Sequence, residues 1–512
     1  MKLFKFHKVF TSNIVFISLY FVATIVSVSC SKESENAEPI IEGTEITQFS
    51  FLKANNPNLL YDINLEISGQ SIKGRIPFNV AVTNLIATFE NSGSSAVISD
   101  VNQVSGTSAN NFTNLVTYTV KTTDGREAQY EVDLTKFTGL PIIYINTNGV
   151  EITSKDIEIP GTLTIDGGRN YSELINAPMA IRGRGNSTWW VHPKKPYQLK
   201  FDSKTEMLGM PKDKKWIFLA EYSDKTMLRN VAAFEMGYLS KLEWTPKSAF
   251  SEVYVNNQYN GTYSISQKVE AGSNRVVLGS TGYLLEIDQL DRLDPGDVYF
   301  RTNDFLINIK EPELTIDSNE YIYVKNLLNE FENVLKSNQF KDANIGYVKY
   351  IDVDSFIDWY LINEIAKNQD SKDFSSIFLN VMPGQKIKMG PIWDFDLAFG
   401  NVNYSDATNP TGFWVKDHKW YARLFQDPLF VAKVKSRFIY FKDNQNLILN
   451  KIDSHANYLK WAQEENNKKW NTIGVYVWPN PVVLSTYDAE VNQLKTWYSQ
   501  RMIWLGTAFN SL

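Results

Sequence analysis

The chain has 512 residues, 43% hydrophobic and 13% aromatic, a composition that supports more than one compact core and excludes a disordered polymer. Its net charge of −6 becomes −9 once the three lysines of residues 1–29 are set aside. That balance argues against nucleic acid as a partner, because phosphate-backbone binding depends on a basic surface.

The first segment, residues 1–29, has Lys2, Lys5 and Lys8 ahead of the apolar run NIVFISLYFVATIVSVS and reads as an export signal. Cys30, the only cysteine, follows directly, and SVSC with the polar SKESENAEP after it resembles the lipobox and tether of a bacterial lipoprotein. Residues 30–44 are therefore expected to be a tether, with Cys30 as lipid anchor and membrane contact through lipid only. The expected location is the outer membrane or cell surface of an exported protein. A single cysteine excludes an intrachain disulfide framework and a cysteine metal site.

Residues 45–138 carry short β-rich runs, among them YDINLEI, LVTYTVKTT and AQYEVDL, separated by Gly, Asn, Ser and Pro turns. Alternation on both sides of Asp124–Gly125 predicts a hairpin. The pattern predicts an all-β sandwich of immunoglobulin type and resembles the Ig-like modules that precede functional domains in Bacteroidetes surface lipoproteins. From FTGLPIIYI onward the texture changes, and residues 139–512 are expected to form a second, α+β domain. Its helices are predicted at DKTMLRNVAAFEMGYLSKL with Asp224 as N-cap, at EYIYVKNLLNEFENVLKS, at DSFIDWYLINEIAKN with one apolar stripe, and at the C-terminal DAEVNQLKTWYSQRMIWLGTAF. SEVYVNNQYNGTYSISQKV is predicted to be a hairpin turning at Asn256–Asn257 or Asn260–Gly261.

Four histidines, and no H-E-x-x-H, G-x-S-x-G or G-x-x-x-x-G-K-[ST], leave no material for zincin, serine-hydrolase or P-loop chemistry. His192, His418 and His455 are expected to be structural. Three other constellations point elsewhere. IRGRGNSTWW combines Gly183 and Gly185 with Arg182 and Arg184, a layout suited to phosphate, and the following strand PYQLKF carries Lys200. Asp370 sits just past a helix end, where the dipole disfavours an acid, so a loop carboxylate there invites a role as base. In MGPIWDFDLAFG, Asp394 and Asp396 flank Phe395 in an apolar run, and two acids so placed need neutralising. Basic glycine loop, strand lysine, helix acid Glu235, loop aspartate and hydrophobic-Asp-aromatic come in the order of the working parts of kinase-like phosphotransferases. The acidic run DQLDRLDPGD lacks calcium-loop spacing and is expected to be a solvated loop.

At these blocks, together with WIFLAEYSDKTMLRN, GYLLEID, NEIAKNQD and EVNQLKTWYSQRMIWL, the chain resembles the CotH kinases, atypical secreted or spore-coat protein kinases, over most of residues 141–510. The resemblance implies an atypical kinase-like domain that transfers the ATP γ-phosphate to Ser/Thr hydroxyls of a protein acceptor with Mg²⁺ or Mn²⁺. It implies Asp370 as catalytic aspartate and Asp394 as metal ligand, with Asp396 as a second. It further implies Trp393 as the aromatic stacked on adenine, Lys200 as the phosphate lysine, and Arg182, Arg184, Lys268 and Arg229 as further phosphate or structural candidates. Where the family often has an asparagine metal ligand, SKDFSSIF offers only Ser375, Ser376 or Asp373. The alternative expectation is a kinase-like surface lipoprotein with weak or no turnover that binds glycan or protein.

Overall fold

The computed structural model describes residues 42–59, 62–77, 80–168 and 170–512. The export signal, Cys30 and most of the tether fall outside these residues. The amino-terminal region is all-β. A three-stranded sheet, ordered Ile63–Asn64, Ile46–Phe51, Thr88–Asn91, shares a core with a six-stranded sheet built around Ser71–Pro77, Glu127–Phe137 and Val116–Lys121. Phe49, Phe51 and Phe89 from the first meet Ile72, Tyr118, Val120 and Val132 from the second. The hairpin expected at Asp124–Gly125 is present, with Lys121 opposite Glu127 and Gly125 at φ +87°. Ser71–Pro77 pairs parallel to Glu127–Phe137, so this sheet is not purely a set of hairpins.

The next unit is a closed seven-stranded barrel formed by Ile142–Asn146, Ile159–Asp166, Leu174–Gly183, Tyr197–Met207, Met210–Leu219, Gln258–Gln267 and Ser248–Val255. Parallel pairing of Ile142–Asn146 with Ser248–Val255 closes it. Alternation sends Tyr197, Leu199 and Phe201 inward and leaves Gln198 and Lys200 on the outer face. The hairpin between its last two strands turns at Asn256 and Asn257, both at positive φ (+47° and +64°), as a two-residue loop with matching twist requires.

The third unit mixes both kinds of element. A five-stranded sheet, ordered Val298–Arg301, Leu306–Glu311, Tyr283–Asp288, Ile377–Val381, Lys388–Met389, packs with helices Arg229–Tyr238, Asn319–Lys336, Val353–Ala366, Pro428–Asp443, Gln445–Tyr458 and Tyr487–Asn510. Ile217 and Leu219 on the barrel's outer face join this core, which fixes the two units against each other. Two expectations change. Asp224 is not the residue before the helix; the helix starts at Arg229, and Asp224 reaches across an intervening turn to accept from the Arg229 N–H at 2.8 Å. The helix Val353–Ala366 is buried on all sides from Ser355 to Ala366 rather than along one stripe, as a helix at the centre of a large core must be.

That central helix is locked to the C-terminal helix by a fully buried ion pair. Arg501 donates to the Glu364 carboxylate at 2.6 Å and to the carbonyls of Glu364, Pro410 and Gly412, while the Glu364 carboxylate also accepts the Trp414 and Lys416 N–H groups. Removing one partner leaves the other charge buried and alone. Arg501→Met is expected to cost about 3–5 kcal/mol in urea unfolding, and Arg501→Lys to recover less than half of it because an ammonium cannot span the same acceptors. Wild-type stability in Arg501→Met would remove this lock from the account.

Candidate functional site

The stretch WDFD is a turn pinned from several sides. Phe395 is fully buried, and its N–H donates to Asn230 Oδ1 at 2.8 Å. Arg229 Nε donates to the Ala398 carbonyl at 3.2 Å while its guanidinium pairs with buried Asp224. Asn401 Nδ2 holds the Asp396 carbonyl at 2.8 Å. Asp394 sits at φ +67°, a conformation that L residues rarely adopt without such restraint.

With Phe395 anchored in the core, Asp394 and Asp396 line a cavity of about 290 Å³ between the barrel and the mixed unit. The same cavity is lined by Asp370, Trp393, Arg182, Arg184 and Lys268, so residues spread over more than two hundred positions meet there. Asp370 reaches it from a short 3₁₀ turn after the central helix. Arg182 and Arg184 come from the end of strand Leu174–Gly183, where the chain leaves the barrel. The glycines have steric reasons: a Cβ on Gly183 would run into the Trp189 ring, and Gly185 has φ +82°.

Other expected residues are not brought in. Lys200 is exposed on the outer face of its strand and does not line the cavity. Gln198, two residues back on the same face, does, because the covered part of the barrel wall ends before Lys200. Glu235 pairs with Lys451 and His455, both at 3.5 Å, and not with a phosphate lysine. Arg229 is spent on Asp224 and the Ala398 carbonyl. Trp393 lines the cavity but is only 7% exposed, with Phe234 stacked at 6.2 Å and the Arg184 guanidinium 5.6 Å from its ring centre, which leaves little free face for a base.

Several residues that sequence reasoning left unassigned belong to the cavity. Glu286 and Asp288 come from the wholly buried strand Tyr283–Asp288, and Lys310 lies 3.6 Å from Glu286. Two acids in an otherwise apolar strand were the available signal, the same one that marks WDFD. Arg292 and Asp294 of the acidic run also face the cavity, so that run is part of a wall and not merely solvated. Of the three candidates for the absent asparagine, Ser376 donates its hydroxyl to Asp394 Oδ2 at 3.4 Å. Arg292 holds Ser375, and Asp373 accepts from the Lys419 N–H.

The electrostatics follow from crowding acids in a partly enclosed space. Burial, and then Asp394, push Asp370 up from 3.8 to about 7. Burial, then Asp394 and Asp370, push Asp396 well above the usual carboxylate range. Glu286 rises to about 7, chiefly through burial. Lys268 is lowered by burial to about 8, whereas Lys310 is raised because Glu286 and neighbouring aspartates outweigh its burial. His192 is lowered to about 4 by burial and then Lys195, and sits neutral in the wall.

Among the described residues no three His, Cys, Asp or Glu side chains converge into a ready-made metal cage. Asp394, Asp396 and the Ser376 hydroxyl are nonetheless hard oxygen donors, and among the described residues no cationic side chain hydrogen-bonds to Asp396 or Asp370. A divalent ion of the Mg²⁺ type fits such a set, because it commonly takes one or two carboxylates and completes its shell with water and phosphate oxygens.

The CotH kinase protein family matches residues 181–505. The chain belongs to the CotH kinase protein family. The match covers every cavity residue named above from Arg182 to Asp396. Residues 46–134 match a second family, SGBP N-terminal. No curated protein matches. Among solved structures, a Bacteroides thetaiotaomicron protein provisionally described as a glycoside hydrolase aligns at 12% identity and a TM-score of 0.17, over 58% of this chain and 89% of that one.

A pH experiment tests the crowding in this CotH protein. Between pH 3.8 and about 7 the folded state holds an Asp370 proton that the unfolded state has lost, so raising the pH through that window lowers stability. In metal-free buffer, Asp370→Asn is expected to match the wild type in Tm near pH 4 and to exceed it at pH 8. Equal Tm values at pH 8 would show that Asp370 is not held in this repulsive setting.

Proposed function

We propose that this CotH protein is a metal-dependent phosphotransferase with an atypical kinase-like catalytic domain, moving the γ-phosphate of ATP to a hydroxyl. The observation that carries the reading is the meeting of Asp370, Asp394 and Asp396 with Arg182, Arg184, Lys268 and Lys310 around one cavity. Carboxylates and cations gathered around one cavity suit a triphosphate with its counter-ion. Asp394 and Asp396, assisted by Ser376, would hold Mg²⁺ or Mn²⁺, which supplies neutralisation of phosphate charge when bound. Asp370 orients the acceptor hydroxyl and takes its proton from its place in the cavity wall beside the acids. The four cations orient the phosphates. Lys310, 3.6 Å from Glu286 and lining the cavity, is the candidate phosphate lysine in this reading in place of Lys200.

A second reading rests on the amino-terminal match. An SGBP-type module, Ig-like in the proposed reading, points to a cell-surface Bacteroidetes lipoprotein that binds glycan and carries the CotH domain as its partner unit. Among the described residues no helix is long and apolar enough to cross a membrane. Cys30 remains the proposed anchor.

Transfer of labelled γ-phosphate with Mg²⁺ or Mn²⁺ separates the readings. The wild type is expected to transfer label, and Asp370→Asn and Asp394→Asn to lose about 10²–10⁴-fold. Lys310→Ala is expected to lose at least about tenfold, and Lys200→Ala to stay within about twofold, since one cation faces the phosphates and the other does not. A folded, metal-loaded wild type that transfers none would leave the binding reading.

A further inference from the structure

The mouth of the cavity carries aromatic surface that the phosphate chemistry does not use. Trp478 lines the cavity and is still 38% exposed, and Tyr404, 52% exposed and beside the cavity, is stacked on it at 10° and 5.9 Å between ring centres, so the free surface is the outer side of the pair. Tyr476, 55% exposed, continues the patch, its hydroxyl accepting from Asn403 Nδ2 at 3.0 Å. Trp478 is backed by His192, itself packed on Tyr222. Many aromatic side chains here are drawn into the core, and a cluster of rings left open beside a cavity offers apolar contact surface.

Its position relates it to the transfer step. Ser405, next to Tyr404, donates to the side chain of Gln369, next to Asp370. The Tyr404 hydroxyl is pushed up to about 12 by burial and then by Asp370 and Asp396, which places it in the field of those acids. A molecule lying on the outer side of this pair rests on the segment that Ser405 ties to Gln369, one residue before Asp370.

We infer that Tyr404 and Trp478 form the acceptor platform of this site and that the acceptor is a saccharide. The inference rests on the phosphotransferase reading above and names its substrate class. A pyranose has flat C–H faces and hydroxyl edges, so it lays a face on an aromatic plate while an edge hydroxyl reaches the base. A peptide side chain is better held by a pocket or an opposite charge than by an open plate. The SGBP-type module on the same chain supplies a second reason for glycan at this protein. In the step itself the sugar O–H proton passes to Asp370, a new O–P bond forms to the sugar oxygen, and the bond from the γ-phosphorus to the β,γ-bridging oxygen breaks. The nucleoside diphosphate leaves with the electron pair.

The test uses the full mature chain, a panel of neutral gluco-, manno- and galacto-oligosaccharides, and ATP with Mg²⁺. Calorimetry without nucleotide is expected to detect at least one saccharide, weakened at least tenfold by Trp478→Ala and by Tyr404→Ala. Label from γ-labelled ATP is expected in that saccharide, while both variants keep the wild-type thermal shift with Mg²⁺–ATP. Tyr404→Ala guards against misfolding, since Tyr404 is half exposed whereas Trp478 also packs on His192. Saccharide binding untouched by either variant overturns the platform, assigning glycan to the amino-terminal module. Loss of the nucleotide shift with saccharide binding intact also overturns it, assigning the rings to the base. Transfer to casein or to a basic peptide but to no saccharide overturns the acceptor class. Platform-dependent saccharide binding without any nucleotide shift or transfer would leave the binding surface standing and sink the phosphotransferase reading alone.

Discussion

The site depends on one buried ion pair. Arg229 and Asp224 neutralise each other at the start of a helix, and in doing so they bring the Arg229 Nε to the Ala398 carbonyl and Asn230 Oδ1 to the Phe395 N–H. Both contacts grip the turn that carries Asp394 and Asp396. Without the grip, Asp394 would have no reason to hold a left-handed backbone. Asn230 also hydrogen-bonds the buried Glu221 carboxylate from its amide side, so one helix end organises acids from two parts of the chain. The ion pair of Asp224 with Arg229 thereby places the carboxyl groups of Asp394 and Asp396.

Unpaired acids in a confined space oppose stability. Asp370, Asp396, Glu221 and Glu286 all have raised proton affinities with burial as the first cause, and each loses stability as pH rises and the charged form takes over. Natural chains retain such an arrangement where a ligand relieves it. The cations on the facing walls are not close enough to cancel it, apart from Lys310 beside Glu286. In the proposed reading, a metal-bound triphosphate would bring both signs of charge at once, to acids and cations alike. Much of the buried framework elsewhere, including Arg501 with Glu364, is fully satisfied and suited to carrying that local cost.

The constellations around RGRGN, Asp370 and WDFD were legible because each breaks a local rule: glycines among arginines, an acid past a helix end, acids in an apolar run. Their convergence follows from the fold, but the anomalies mark them beforehand. Lys200 was misread for a physical reason. Strand alternation correctly places it on the outer face with Gln198, yet only tertiary packing decides how far along that face the mixed unit covers the barrel. Glu235 fails likewise, since helical spacing does not reveal that Lys451 and His455 from a later helix claim it. Glu286, Asp288 and Lys310 sit in strands whose apolar character dominates the local pattern, and the parallel pairing of Ser71–Pro77 is a long-range choice that no short window encodes.

The wall of the cavity furthest along the chain is also tied to the acids. Asn480 Nδ2 donates to the Ser223 carbonyl at 2.7 Å and to Asn401 Oδ1 at 2.8 Å, while Asn401 Nδ2 in turn holds the carbonyls of Ser223 and Asp396. One buried amide pair thus joins the Trp478–Pro479 wall, the chain leaving the barrel and the turn of Asp396. The segment around Trp478 and the turn of Asp396 are therefore held in one hydrogen-bonded network, and in the proposed reading a molecule seated against Trp478 would be positioned relative to that turn by the protein itself. Positioning of that kind is where a site with little covalent chemistry of its own gains most of its rate.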